Sequence, residues 1–209
     1  PYTMTGVTTS ATAGKLRVAL LGGTTYTAHD AGLVAPSSAG TVSTEAGGTK
    51  SMDGIVSIVA CAKRIATETV SNPSPVNVQT LSAAGNNRIR VTLNAAATGQ
   101  DSWLFGGSYW GQGNFGPWRL IREVRITVEG TLAIATQVVT GTATRFLRDL
   151  RVGDVVTVNA TDYTIATITS DTSATVASGA DVTTPSAATV KEVVLEWRNG
   201  ELTDLIEFD

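Results

Sequence analysis

The sequence predicts an all-β protein built of antiparallel sheet, and three features carry that prediction. Thr fills 33 of the 209 positions; it is β-branched and stiff at χ1, which suits a pleated surface better than a helix. Charged residues make up 16% of the chain, against ~25% in ordinary globular domains, and 21 glycines punctuate it. The apolar runs, such as Ile55–Ala62, are strand-sized and well short of the ~20 residues a membrane helix needs.

The elements follow in order. Lys15–Leu21 (KLRVALL) closes on Gly22-Gly23, and Thr24–Thr27 resumes a β pattern, so an N-terminal hairpin is expected. Gly32–Pro36 breaks that unit, and Thr41–Thr44 is a candidate strand. Ile55–Ala66 (IVSIVACAKRIA) fits a short helix in part, but its Val and Ile favour a buried strand. Ser71–Pro75 (SNPSP) is a breaker. Arg88–Leu93 (RIRVTL) alternates with period two, one face buried and the other wet.

Residues 101–118 (DSWLFGGSYWGQGNFGPW) hold six of the twelve aromatics, spaced by glycines. Arg119–Val128 alternates again, and Thr131–Val139 continues as one strand. Thr144–Ser178 reads as a compact block. FLRDLRVGDVVTV gives a short turn and a strand, and Tyr163–Thr169 and Ser173–Ala177 flank a turn at Ser170–Thr172. Residues 179–189 (GADVTTPSAAT) read as a linker without core residues. Val190–Trp197 closes as a strand before the turn Asn199-Gly200 and an acidic tail.

Composition narrows the chemistry. A single cysteine, Cys61, excludes an internal disulfide, a cysteine zinc site and an iron–sulfur cluster; a single histidine, His29, excludes a multi-histidine centre. No metal and no cofactor is therefore expected. A net charge of −3 and a pI near 5.2 argue against nucleic acid as a partner, and no membrane partner is expected either. No basic stretch followed by an apolar core opens the chain, so no secretory leader is expected. Residues 1–130 carry ten Lys and Arg against seven Asp and Glu, while residues 190–209 carry two against six. The acidic end reads first as a solvated tail, with head-to-tail contact between subunits as the other reading.

Several constellations reduce to bland readings. Gly111–Gly116 (GQGNFG) matches GxGxxG, but Pro117-Trp118 and a strand pattern follow it where a dinucleotide site needs a helix. It reads as a glycine-rich hairpin. His29 beside Asp30 reads as a solvated loop residue, and Cys61 between alanines as a small core residue. Asp101, Glu123 and Glu129 lie near the aromatic segment, yet no spacing selects a glycosidase pair among them. Arg145, Arg148 and Arg151 recur every third residue, interrupted by Asp149 and Asp154. Asn159-Ala-Thr161 is a glycosylation sequon that matters only in a secretory setting. Gly153-Asp154 reads as a turn needing φ > 0.

The aromatic segment supplies the candidate interface: Trp103, Phe105, Tyr109, Trp110, Phe115 and Trp118. Trp103, Phe105 and Trp118 are expected in the core, with Tyr109, Trp110 and Phe115 on an exposed loop that needs a partner.

Two segments resemble known families. GLVAPSSAGTVS, SNPSPVNV, RIRVTL with GQDSWLF, and GPWRLIREV, spread over Gly32–Val128, resemble the fibronectin type III-like sandwich of bacteriophage virion proteins. The closing VVLEWRNGELTDLIEFD resembles the last strand of such modules. TRFLRDLRVGDVVTVNATDYTIATITSDTSATVAS resembles a small β-domain of phage tail proteins, matched at Phe146, Gly153, Asp154, Tyr163, Ile168 and Ser170–Ser173. The resemblance implies a fibronectin/Ig-like antiparallel sandwich with an inserted small β-barrel-like domain. Residues 1–31 would form an arm or hairpin, 32–130 the sandwich, 131–189 the inserted domain, and 190–209 the closing strand and acidic tail. It implies a non-enzymatic structural subunit of the tail, neck or baseplate, made in the host cytoplasm and carried in the virion. Its partners would be copies of itself and other virion proteins, met through strand edges and aromatic loops. The alternative is an adhesin module that binds carbohydrate or a host-surface glycan through Tyr109, Trp110 and Phe115.

Overall fold

The computed structural model describes residues 8–10, 15–17, 33–47, 54–82, 88–111, 114–115 and 119–195. The all-β expectation holds: the described residues fold as antiparallel sheets arranged as a sandwich, with one four-residue helix and one short 3-10 turn among them. β1 (Thr8–Ser10) pairs with β2 (Lys15–Arg17), while Thr24–Thr27 and His29 lie outside the described residues.

The first large sheet is built around β4 (Gly54–Arg64), which follows β3 (Thr41–Glu45) in the chain. A 3-10 turn over Ile65–Thr67 leads to β5 (Thr69–Val70), then β6 (Asn77–Leu81) and β7 (Arg88–Thr92). β8 (Ser102–Gly111) forms a hairpin with β9 (Asn114–Phe115), and β10 (Arg119–Arg125) completes the set. The strand order is β10-β8-β4-β5, with β6 also on β4 and β9 on β8. Between β5 and β6 the SNPSP breaker interrupts the strand pairing along β4. Ser71 and Ser74 compensate: their hydroxyls accept the Ala62 and Ala60 amides at 2.9 and 3.0 Å, so the buried edge of β4 keeps its partners.

The second sheet runs through nine strands. β11 (Thr131–Ala135) and β12 (Val138–Thr142) are followed by the helix α1 (Phe146–Asp149), then β13 (Val155–Val158). β14 (Thr161–Ser170), β15 (Ser173–Val176), β16 (Val182–Ser186) and β17 (Ala188–Leu195) follow. Their order is β16-β11-β12-β15-β14-β13-β17-β7-β3, so β17 bonds to β13 on one side and to β7 on the other. One continuous core extends from Val56, Ile58 and Phe105 to Leu132, Phe146 and Tyr163.

Two readings along this sheet need correction. Thr131–Val139 is a hairpin and not one strand. Thr136 and Gln137 both adopt positive φ, 49° and 67°, the signature of a tight two-residue turn whose usual sequence signal is Asn-Gly or Asp-Gly. Residues 179–189 are not a coreless linker, because β16 and the start of β17 occupy them and bury Val182 and Ala188. β16 lies at the edge of its sheet, where Pro185 is tolerated and discourages further pairing.

A charged cluster binds β3, β7 and β17 on the sheet surface. Glu45 accepts from Arg88 Nε at 2.7 Å and from Arg90 Nε at 2.7 Å, and Arg90 also reaches Glu192 at 3.1 Å. Burial acts to raise the Glu45 carboxyl, but the hydrogen bonds from Arg90 and Arg88 outweigh it and hold it below its usual value of 4.5. A depressed carboxyl contributes stability above pH 4.5 that is lost as pH falls through the lower folded value. Glu45→Gln is therefore expected to lower stability at neutral pH and flatten its dependence below pH 4.5. Urea denaturation between pH 3 and 7 checks this; parallel curves for both proteins contradict it.

Candidate interface

The candidate interface residues begin on β8, and the structure divides them. Trp103 and Phe105 point into the core at 3% and 0% exposure, stacked with ring centroids 6.4 Å apart. They support the sheet and offer nothing to a partner. Tyr109, Trp110 and Phe115 lie on strands and not on a loop: β8 extends to Gly111, and Trp110 sits opposite Phe115 in the β8–β9 register. Gly111 pairs with Asn114 in the same hairpin, while Gln112, Gly113 and Gly116 of the GxGxxG match lie outside the described residues. Trp118 lies outside the described residues. Glycine spacing does not make a loop here, because β4 and β10 flank β8 on both sides and hold Gly106 and Gly107 in the sheet.

The polar groups sort into internally paired sets. Lys63, at the end of β4, bonds Glu68 at 2.8 Å and Glu123 at 3.1 Å. Burial acts to lower the Lys63 ammonium, yet the bonds to Glu68 and Glu123 outweigh it and raise its pKa above 10.5. These three residues line a cleft of about 340 Å³ together with Ile65, Arg125, Arg148 and Asp149. Arg148 Nε donates to Asp149 at 2.6 Å. Three cations and three anions thus share the lining, and the cleft favours neither charge sign.

The carboxylates weighed for catalysis are held by the fold. Asp101 accepts the Ile65 amide at 3.0 Å, Glu123 the Ser102 hydroxyl at 3.2 Å, and Glu129 the Arg148 guanidinium at 2.5 Å. Burial pushes the Cys61 thiol up to about 11, so it is the neutral thiol of a core residue at physiological pH. Arg145 caps α1 with its side chain 61% exposed, and Arg148 is tied to Glu129 and Asp149. Asn159 and Ala160 form the positive-φ turn between β13 and β14, with the Asn159 amide donating to Ser186. Among the described residues, no group of three or more His, Cys, Asp or Glu is placed to hold a metal ion, and no helix is long and apolar enough to cross a membrane.

One polar contact escaped the sequence reading. Arg122, 4% exposed on β10, meets the fully buried Asp154. Its two terminal nitrogens reach the two carboxylate oxygens at 2.8 and 2.5 Å. The same guanidinium donates to the Val194 and Asp149 carbonyls, while Asp154 also accepts the Val194 and Arg151 amides. A bulge between Leu120 and Arg122 aims this side chain, the usual work of a bulge. The pair fastens β10 of the first sheet to the turn before β13 and to β17 of the second. Arg122 falls in phase with buried Val124, and that was the signal available in the sequence.

No protein-family model, curated protein or solved structure matches this chain.

Proposed function

We propose that this chain is a structural subunit of a bacteriophage particle, associated with the tail, neck or baseplate, that assembles with copies of itself and with other virion proteins. In this reading it performs no catalysis, and residues 131–189 form a small β-domain inserted before the final strand of the sandwich. The observation that carries the reading is the outer surface of strands β11–β16. Their exposed positions are Thr, Ala, Val and Pro, and Asp162 is the sole charge among them; even that carboxylate is paired with Lys191. Isolated soluble domains ordinarily intersperse charge over such faces. A subunit whose faces and strand edges are covered in a closed assembly does not need it.

Immunogold electron microscopy tests this reading. An antibody to the chain is expected to label phage particles from the strain that encodes it, at one recurring position. Labelling confined to cell debris, with particles unlabelled, overturns it.

A further inference from the structure

Strands β6, β4 and β8 carry almost no charge on either face. On one face Val56, Ile58 and Ala60 join Trp103 and Phe105 in the core. The alternate residues of β4 face the other way. Cys61 lies opposite Leu104, Val59 opposite Gly106, Ser57 opposite Ser108 and Val78, and Ile55 opposite Thr80. Val59 and Cys61 are buried, yet both stand outside the continuous core. Val76 and Val78 are 53% and 58% exposed. This second face carries no charge until the Lys63–Glu123 pair at its end. A sheet with one face on the core normally presents polar residues on the other, and a contiguous exposed apolar patch marks a site of association.

The second observation is an element with the complementary need. Among the described residues, β1 and β2 pair only with each other. A lone two-stranded hairpin is marginal in water and gains stability by packing on a larger surface. The segment that carries it, residues 1–32, has only Lys15, Arg17 and Asp30 as charges and includes the apolar run Val18–Leu21. It matches the uncharged face in character. Val76 and Val78 stay exposed in the single chain, so their part of the face is free for a second molecule.

We propose that the outer face of β6, β4 and β8, where Val76 and Val78 are exposed and Ile55 and Leu104 half-buried, receives residues 1–32 of a neighbouring copy. The contact is an arm exchange, a low-cost route from monomer to closed oligomer. It rests on the self-assembly reading above and names the surface and segment that perform it.

Two full-length variants test the contact. Val76→Asp with Val78→Asp spoils the face, and Val18→Asp with Leu20→Asp spoils the arm; circular dichroism confirms that each remains folded. Sedimentation velocity is expected to show wild-type association and at least about a tenfold loss of association constant in each variant. Mixing the two variants is expected to restore a one-to-one complex, because one keeps an intact arm and the other an intact face. If the arm variant associates like wild type, or the mixture gives no complex, the arm assignment is overturned while self-assembly stands. If wild type remains monomeric up to about 1 mM, both fall.

Discussion

Arg122→Ala is expected to destabilise the protein by about 3–5 kcal/mol, the usual cost of removing one partner from a buried ion pair. The pair gains little over a hydrophobic replacement, because taking both charges out of water offsets most of their attraction. Removing one member is different. Asp154, 0% exposed, would keep its two backbone amide donors and lose both guanidinium bonds, leaving an uncompensated buried carboxylate. The carbonyls of Val194 and Asp149 would lose a donor as well. For a chain of this length, each kcal/mol corresponds to about 2–4 °C in Tm, so a fall of about 10 °C is the expected scale. Asp154→Ala should cost a similar amount, and the double variant clearly less than the sum, because the two residues share one interaction. Thermal melting of all three checks this. A fall under about 3 °C for Arg122→Ala contradicts the seam.

Gly153→Val is expected to cost about 2–4 kcal/mol, combining backbone strain with overpacking. Gly153 has φ +92°, a region glycine enters freely and a β-branched residue resists. A Cβ there would stand 3.0 Å from Val194 Cγ2. The backbone cannot easily give way, since the Gly153 amide donates to Ile165 at 2.8 Å and its carbonyl accepts from Arg90 at 3.1 Å. Asp154 is the next residue, so displacement here would also loosen the Arg122 contact. Gly153→Ala removes the β-branch and should cost less. Equal Tm for Gly153→Val and wild type would contradict the turn.

Much of this was legible where local chemistry decides structure. Arg88–Leu93 announced β7 by strict alternation, and Ile55–Ala66 announced a buried strand that the structure ends at Arg64. Gly153-Asp154 announced its turn. The failures share a cause, which is that tertiary partners supplied what the local sequence lacked. Thr136-Gln137 turns tightly without an Asn-Gly signal, aided by Asp181, which accepts the Thr136 amide at 2.8 Å. β16 hides in a Thr- and Pro-bearing stretch because only pairing with β11 defines it. Tyr109 and Trp110 belong to a strand because β4 runs alongside them through Ile55. The Arg122–Asp154 pair joins residues 32 positions apart, a distance no local motif spans.

The proposed self-assembly would cover this low-charge, Thr-rich surface with neighbouring copies. Multi-angle light scattering of the purified 209-residue chain tests it most directly, over concentrations from about 1 μM to about 1 mM. Self-assembly requires a molar mass that rises to a fixed integer multiple of 21.6 kDa and stays there, as closed symmetry demands. A mass that remains 21.6 kDa across the whole range would contradict it.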